Sequence, residues 1–323
     1  MRDRYKVKER RRSSIDLGRR EFLQASLAVA GAAFLPVSAD VNAQSVGLLQ
    51  KKIPSSGELI PIIGLGTARR YEEIHADAEK IPLRATIAKF KEVGLKVVDS
   101  SPSYGTAEAV VGELVEGLKI RDSLFLATKV SLRGGGRDSG MEQIERSFKR
   151  LRTAKVDLIA VHNLQDTQMQ LRTLREMKQA GRIRYVGITT SFDNQYAEFE
   201  RTMKNENLDF IQVDYALDNR DAGERIIPLA ADRGMAVMIN LPFGRGRLFN
   251  AVQNKKLPEW ASEFDCASWA QFFLKYIVSH PAVTCAVPGM AKPEYVVDNV
   301  GAARGRLPDA AMRRRMEQFI DGV

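Results

Sequence analysis

Eight short apolar runs, each of strand length, recur along the chain with stretches of helical periodicity between them, and this alternation limits the available folds. The runs fall at residues 59–66, 95–99, 124–130, 156–162, 183–189, 209–215, 235–240 and 283–288. Near-continuous apolar strands separated by helices are buried on both faces, which implies a parallel sheet. Gly94, Gly181 and Gly234 follow helical stretches at the point where a left-handed residue ends a helix. Eight strand-helix units within about 230 residues match a closed barrel better than an open sheet. No G-x-G-x-x-G follows the first run, which argues against a doubly wound dinucleotide-binding sheet. No linker, repeat or low-complexity stretch interrupts the series, so residues 44–323 are expected to form one α/β domain, a single (β/α)₈ TIM barrel. Chemistry in such a barrel belongs at the C-terminal ends of the strands.

The segment before the barrel is of another kind. Residues 1–20 are rich in Lys and Arg, residues 22–35 run FLQASLAVAGAAFL, and small residues follow as far as Ala43. That order is a secretory signal. As a helix the apolar run is roughly 21 Å long, short of a ~30 Å hydrocarbon core, so no stable membrane anchor is expected. Gly18-Arg19-Arg20-Glu21-Phe22-Leu23-Gln24 resembles the twin-arginine signal of bacteria, which implies the twin-arginine translocation machinery as a partner and a periplasmic destination. Val41-Asn42-Ala43 offers a cleavage site, placing the mature start near Gln44. The competing readings are a disordered basic tail, or a mis-called start codon upstream of a cytoplasmic protein. The net charge of +9 bears on the same point, because the first 43 residues hold nine Lys/Arg against five Asp/Glu. The excess left on the barrel is mild, and no nucleic-acid partner is expected. Cys266 and Cys285 lack metal-ligand spacing and are expected as independent buried thiols, while His75, His162 and His280 are scattered, so no metal site is expected.

Several runs finish on or near a polar residue that a core strand would not select. Asp99 ends the second, with Tyr104 in the loop after it; Lys129 lies near the end of the third and His162 closes the fourth. Singly, each has a structural explanation: an Asp caps a helix, a Lys snorkels, a His or a loop Tyr packs. Together, at one end of adjacent strands, they suit carbonyl chemistry. Hydride addition to a carbonyl carbon needs a proton for the developing alkoxide. A free tyrosine has a pKa of about 10, and a neighbouring ammonium lowers it by favouring phenolate. Lys129 would supply that charge, Asp99 would hold Lys129, and His162 would orient the carbonyl by a hydrogen bond.

From Gly64 to about Asn299 the chain resembles the aldo/keto reductases. The matching pieces are G-L-G-T, D-S-S-P-S-Y-G with Glu108 after it, A-T-K, A-V-H-N, G-R-I-R-Y-V-G-I, Q-V-D-Y-A-L, P-F-G-R-G-R-L and V-P-G-M-A-K-P-E-Y-V-V-D-N, in family order. The resemblance implies an NADPH-dependent oxidoreductase, NADH being possible, that reduces an aldehyde or ketone to an alcohol or runs the reverse. It assigns the catalytic tetrad to Asp99, Tyr104, Lys129 and His162. It also assigns cofactor contacts to Thr189, Thr190, Gln212, Asn240, Gly244, Arg245, Lys292 and Asn299, with Arg247 adding charge near the pyrophosphate. Departures fall on this side. Thr189-Thr190 stands for the family's Ser-Asn, Asn240 for an aromatic that stacks on nicotinamide, and Tyr295 for the arginine that reads the 2′-phosphate, leaving Lys292 to do so. A nucleotide-holding accessory or regulatory subunit of the same fold is the alternative. A metal-dependent barrel hydrolase fails for want of clustered ligands. The small-molecule carbonyl substrate is expected against residues 68–80 and the stretch from Phe249 to Asp265, where Phe249, Trp260 and Phe264 suggest an apolar wall or, equally, packing against the barrel.

Overall fold

The computed structural model describes residues 47–323, so the expected signal segment, its twin arginines and the cleavage site at Ala43 lie outside the described residues. The first run does not enter the barrel as one strand. Gln50–Lys52 (β1) and Leu59–Pro61 (β2) form an antiparallel hairpin, and only Leu65–Gly66 (β3) joins the main sheet. The chain changes partners at Ile62, whose N–H donates to Leu49 while its carbonyl accepts from Ala286. Pro61 ends the hairpin strand, as suits a residue with no N–H to continue a ladder. Ile53 and Ile60 from the hairpin pack into the apolar cluster inside the barrel, so the hairpin plugs its N-terminal end.

Val97–Asp99 (β4), Phe125–Val130 (β5), Val156–His162 (β6), Ile183–Thr189 (β7), Phe210–Asp214 (β8), Ala236–Asn240 (β9) and Cys285–Ala286 (β10) complete an eight-stranded sheet, β3 to β10 in sequence order and parallel throughout. Bridges Ile63 to Ala286 and Gly66 to Gly289 close it into a barrel. At that seam a Cβ on Gly66 would sit 2.6 Å from the Val287 carbonyl oxygen, so only glycine allows the strands to meet. The main helices between strands are Asp77–Glu92 (α1), Ala107–Leu118 (α2), Gly136–Arg150 (α3), Thr167–Gln179 (α4), Tyr196–Asn205 (α5), Ile226–Asp232 (α6) and Trp269–Val278 (α8), with the short Arg247–Ala251 (α7) before α8. Pro293–Val300 (α9) and Ala310–Asp321 (α10) follow β10.

Strand parity decides what faces inward. Val97, Phe125, Ala127, Leu158, Tyr185, Phe210 and Met238 fill the barrel interior, with the Phe125, Tyr185 and Phe210 rings 5.4 to 5.8 Å apart. Because side chains alternate across a strand, the residues two or four further along point inward as well. Those residues are Asp99, Lys129, His162, Thr189, Gln212 and Asn240, all nearer the C-terminal mouth. The odd neighbours face the helices: Thr128 donates to Glu108 on α2, a buried carboxylate that Arg150 also holds through two nitrogens at 2.8 and 2.6 Å.

Candidate active site

Lys129 is 1% exposed and cannot remain a bare cation there. Its ammonium donates to both Asp99 carboxylate oxygens at 2.9 Å and to the Ser100 carbonyl at 2.8 Å. Burial works to lower its pKa, but the Asp99 charge and the Tyr104 phenol beside it outweigh burial and hold the group above its ordinary value. The ammonium sits 5.0 Å from the centre of the Tyr104 ring. The expected lowering of the Tyr104 pKa is not the net result. Burial raises it, the Lys129 charge opposes, and burial prevails, so the phenol is held protonated.

Tyr104 owes its position to a loop docked on the turn after β3. Its N–H donates to Ser101 O, and the next turn opens α2. Gly105 has φ 47°, and a Cβ there would lie 2.2 Å from the Glu72 carbonyl oxygen; the adjacent Thr106 N–H donates to that same oxygen at 2.9 Å. Glycine is therefore required for both conformation and approach. Edge-on to Tyr104, with centroids 5.9 Å apart, lies the His162 ring. Its Nδ1 is 3.3 Å from the hydroxyls of both Ser101 and Ser103. Burial first, and then the Lys129 charge, depress the His162 pKa to about 3, so the imidazole is neutral. A neutral ring that accepts from serine at Nδ1 keeps its proton on Nε2. Neither serine carried a signal of its own in the sequence, where both read as ordinary loop residues.

Asp99, Tyr104, His162, Thr189, Asn240 and Arg245 line one cavity of about 440 Å³ at the mouth, with Lys129 buried behind it. Thr189 donates to Gln212 Oε1 at 2.9 Å, and Gln212 Nε2 in turn donates to the Met238 sulfur at 3.1 Å. Asn240 Nδ2 donates to the Thr190 carbonyl at 3.2 Å, whereas its Oδ1 is buried with no partner among the described residues. The Thr190 hydroxyl donates to Gln195, not into the cavity. Gly244–Gly246 forms a tight turn with Arg245 at φ 58°; Arg245 and Gly246 reach the cavity at the mouth, while Gly244 and Arg245 border an adjoining one. Arg247 departs from the expectation, since Asp218 holds its guanidinium at 2.9 Å. Lys292 precedes α9 and Asn299 is buried within it; neither lines the cavity.

The three aromatics divide between the two expectations. Phe249 lines the cavity beside Phe243 and Phe192, but Trp260 and Phe264 pack on Phe272, with Trp260 also against Phe319, in the core around α8 and α10. Of the loop at 68–80, the cavity takes Ala68, Arg69, Arg70 and Glu72. Cys266 and Cys285 are both buried and free, as expected.

The mouth of this parallel barrel gathers Asp99, Tyr104, Lys129 and His162, and the aldo/keto reductase family profile matches residues 62–319. The chain belongs to that family and is an NAD(P)H-dependent oxidoreductase. Among its relatives, the methylglyoxal reductase YeaE of Escherichia coli is 28% identical over 270 residues, covering 81% of this chain and 93% of that protein. The aldo-keto reductase YhdN of Bacillus subtilis is 29% identical over 199 residues, 58% of this chain and 59% of that one. A solved aldo/keto reductase of Klebsiella pneumoniae, in complex with NADP and acetate, superposes with a TM-score of 0.68 at 25% identity, covering 82% of this chain and 93% of that one.

Proposed function

We propose that the protein reduces an aldehyde or ketone with NADPH, with Tyr104 as the proton donor to the carbonyl oxygen. The observation that carries this reading is the buried ammonium of Lys129, fixed by Asp99 and set 5.0 Å from the Tyr104 ring. Bound NADPH supplies the hydride to the carbonyl carbon. The chain supplies everything else. Burial keeps Tyr104 protonated near neutrality, which is the form an acid requires, and Lys129 stabilises the phenolate that proton transfer leaves behind. Neutral His162, held through Nδ1 by Ser101 and Ser103, turns Nε2–H toward the cavity to donate to the same oxygen. Phe192, Phe243 and Phe249 give the mouth an apolar side for the body of the substrate.

The residues present fit a nicotinamide cofactor. A buried amide oxygen without a donor costs about 1–3 kcal/mol, and Asn240 Oδ1 is such an acceptor at the cavity wall, suited to a carboxamide N–H. Thr189, Gln212 and Asn240 would hold the nicotinamide end, the Gly244–Gly246 turn with Arg245 the diphosphate, and Lys292 with Asn299 the adenosine end with its 2′-phosphate. Thr190 would contribute through the carbonyl that positions Asn240.

Tyr104→Phe keeps the ring and removes the acid, so kcat for an aldehyde substrate should fall about 10² to 10⁴-fold while NADPH fluorescence titrations stay unchanged. Wild-type turnover by this variant, with chemistry rate-limiting, would remove Tyr104 from the role.

Export belongs to the same reading. The order of basic, apolar and small residues across 1–43 supports passage through the twin-arginine machinery to the periplasm, a route that carries folded proteins with cofactor bound. Arg19 and Arg20 changed together to Lys keep the charge and should trap the protein full length in the cytoplasm. Fractionation that finds wild type and variant in the same compartment at the same length would sink this part.

A further inference from the structure

The turn after β3 carries two arginines into the catalytic mouth. Arg69 and Arg70 line the cavity that holds Tyr104 and His162. Neither is in a salt bridge among the described residues, in contrast with Arg247 on Asp218. Around them the turn is tied down on every side. Thr67 donates through its hydroxyl to Asp99 O and Ser100 Oγ, both at 3.0 Å. The N–H groups of Arg70 and Tyr71 close the turn on Thr67 O at 3.2 and 3.1 Å. Tyr71 is fully buried, its hydroxyl donating to Met290 O at 3.2 Å, and Thr106 caps its carbonyl at 2.8 Å. The stem of Arg70 crosses Gly289, its Cγ 3.3 Å from where a Cβ would stand.

The same turn is bolted to the Tyr104 loop through the Gly105 and Glu72 contact, so the backbone that carries the arginines is held in register with Tyr104. Charge around the cavity is unbalanced. Asp99 is neutralised by Lys129, which leaves Glu72 alone among the lining residues against Arg69, Arg70 and Arg245. Across the mouth the chemistry changes. Phe192 follows β7, four strands from β3 in a ring of eight, and Phe243 and Phe249 follow β9 with rings 4.9 Å apart.

We infer that Arg69 and Arg70 form an anion subsite for the substrate. The preferred carbonyl compounds carry a carboxylate or phosphate at one end and an apolar body toward Phe192, Phe243 and Phe249. This rests on the proposed reductase chemistry for its meaning but not for its test. Planar guanidinium groups pair with such oxyanions through two parallel hydrogen bonds, and a pre-ordered turn lessens the entropy lost on binding. The cofactor's diphosphate is the other oxyanion within the same chemistry, and the experiment separates the two.

The probes are 4-carboxybenzaldehyde and its methyl ester, equal in body and different in charge. Wild type should show a higher kcat/KM for the acid, and added salt should narrow the gap. Changing Arg69 and Arg70 together to Gln should cut the acid-to-ester ratio of kcat/KM about 10 to 100-fold, the range for lost charge-assisted hydrogen bonds. Titration of NADP⁺-loaded protein with both probes, where no hydride is available, should show the same loss of preference in Kd. Preference in binding with no turnover on either aldehyde would uphold the subsite and overturn the reductase chemistry instead. If the ratio is unchanged in the double variant, or if NADPH affinity falls while acid and ester suffer alike, the arginines serve the cofactor or nothing, and the inference is wrong.

Discussion

Lys129 and Lys292 are both cations assigned to the active region, and their surroundings give them different work. Lys129 is enclosed, with its protons spent on Asp99 and Ser100, so it acts on Tyr104 by its field. Lys292 is more than half exposed, 5.8 Å above the Tyr295 ring and 3.9 Å from Glu294. Tyr295 stands where the family places an arginine, so under the proposed reading the extra phosphate of NADPH falls to Lys292, in competition with Glu294. Lys292→Ala should therefore weaken NADPH about tenfold with little change for NADH, and Glu294→Gln should tighten NADPH by freeing the ammonium. Fluorescence titration with both cofactors at one ionic strength checks this. Equal losses for NADPH and NADH in Lys292→Ala would show that another group reads the 2′-phosphate.

At the scale of elements, the sequence was most readable where periodicity and chemistry coincide. The runs at 156–162 and 183–189 agree with β6 and β7 residue for residue, because both strands are long, apolar and buried on two faces. Asp99, Lys129 and His162 could be singled out because a polar residue at the end of such a run is costly unless it has a partner. The run at 59–66 misled for the same reason it was noticed. It is apolar throughout, yet β2 packs its Ile60 up into the barrel from below and β3 pairs at the seam, and apolarity alone cannot separate the two tasks. Gln50–Lys52 went unread because a three-residue edge strand of polar residues has no period to show. Ser101 and Ser103 were hidden differently, and the loop at 68–80 was marked without any sign that Arg69 and Arg70 within it reach the mouth. Loop residues take their meaning from tertiary neighbours, and nothing local records that Gly105 seats one loop on another. Trp260 and Phe264 could be read two ways in the sequence, since aromatic residues near a site serve the core as readily as the ligand, and the structure gives them to the core.

For the whole molecule, the histidines set the response to acid. Burial, and then the charge of Lys129, depress His162 to about 3; burial, and then Arg313 and Lys51, depress His280 to about 4. In the unfolded chain each takes up a proton near pH 6.5, whereas the folded protein refuses it until far lower. The unfolded state thus binds more protons throughout that window, and stability falls as pH drops from about 6.5 toward 4, with enclosed His162 contributing up to about 1.4 kcal/mol per pH unit and the half-buried His280 less, because solvent screens it. Carboxylates whose pKa is lowered by a partner, such as Asp265 with Arg306 and Glu145 with Arg182, lose their contribution only below the ordinary carboxylate range, so they do not mask the effect above about pH 5. Urea midpoints measured between pH 7.5 and 5 should decline below about pH 6.5 in the wild type. His162→Gln together with His280→Gln removes both titrating groups, and the decline should flatten even if the variant is less stable overall. Stability that holds level down to pH 5 in the wild type, or the same slope in the double variant, would mean that the buried imidazoles are not what acid attacks first.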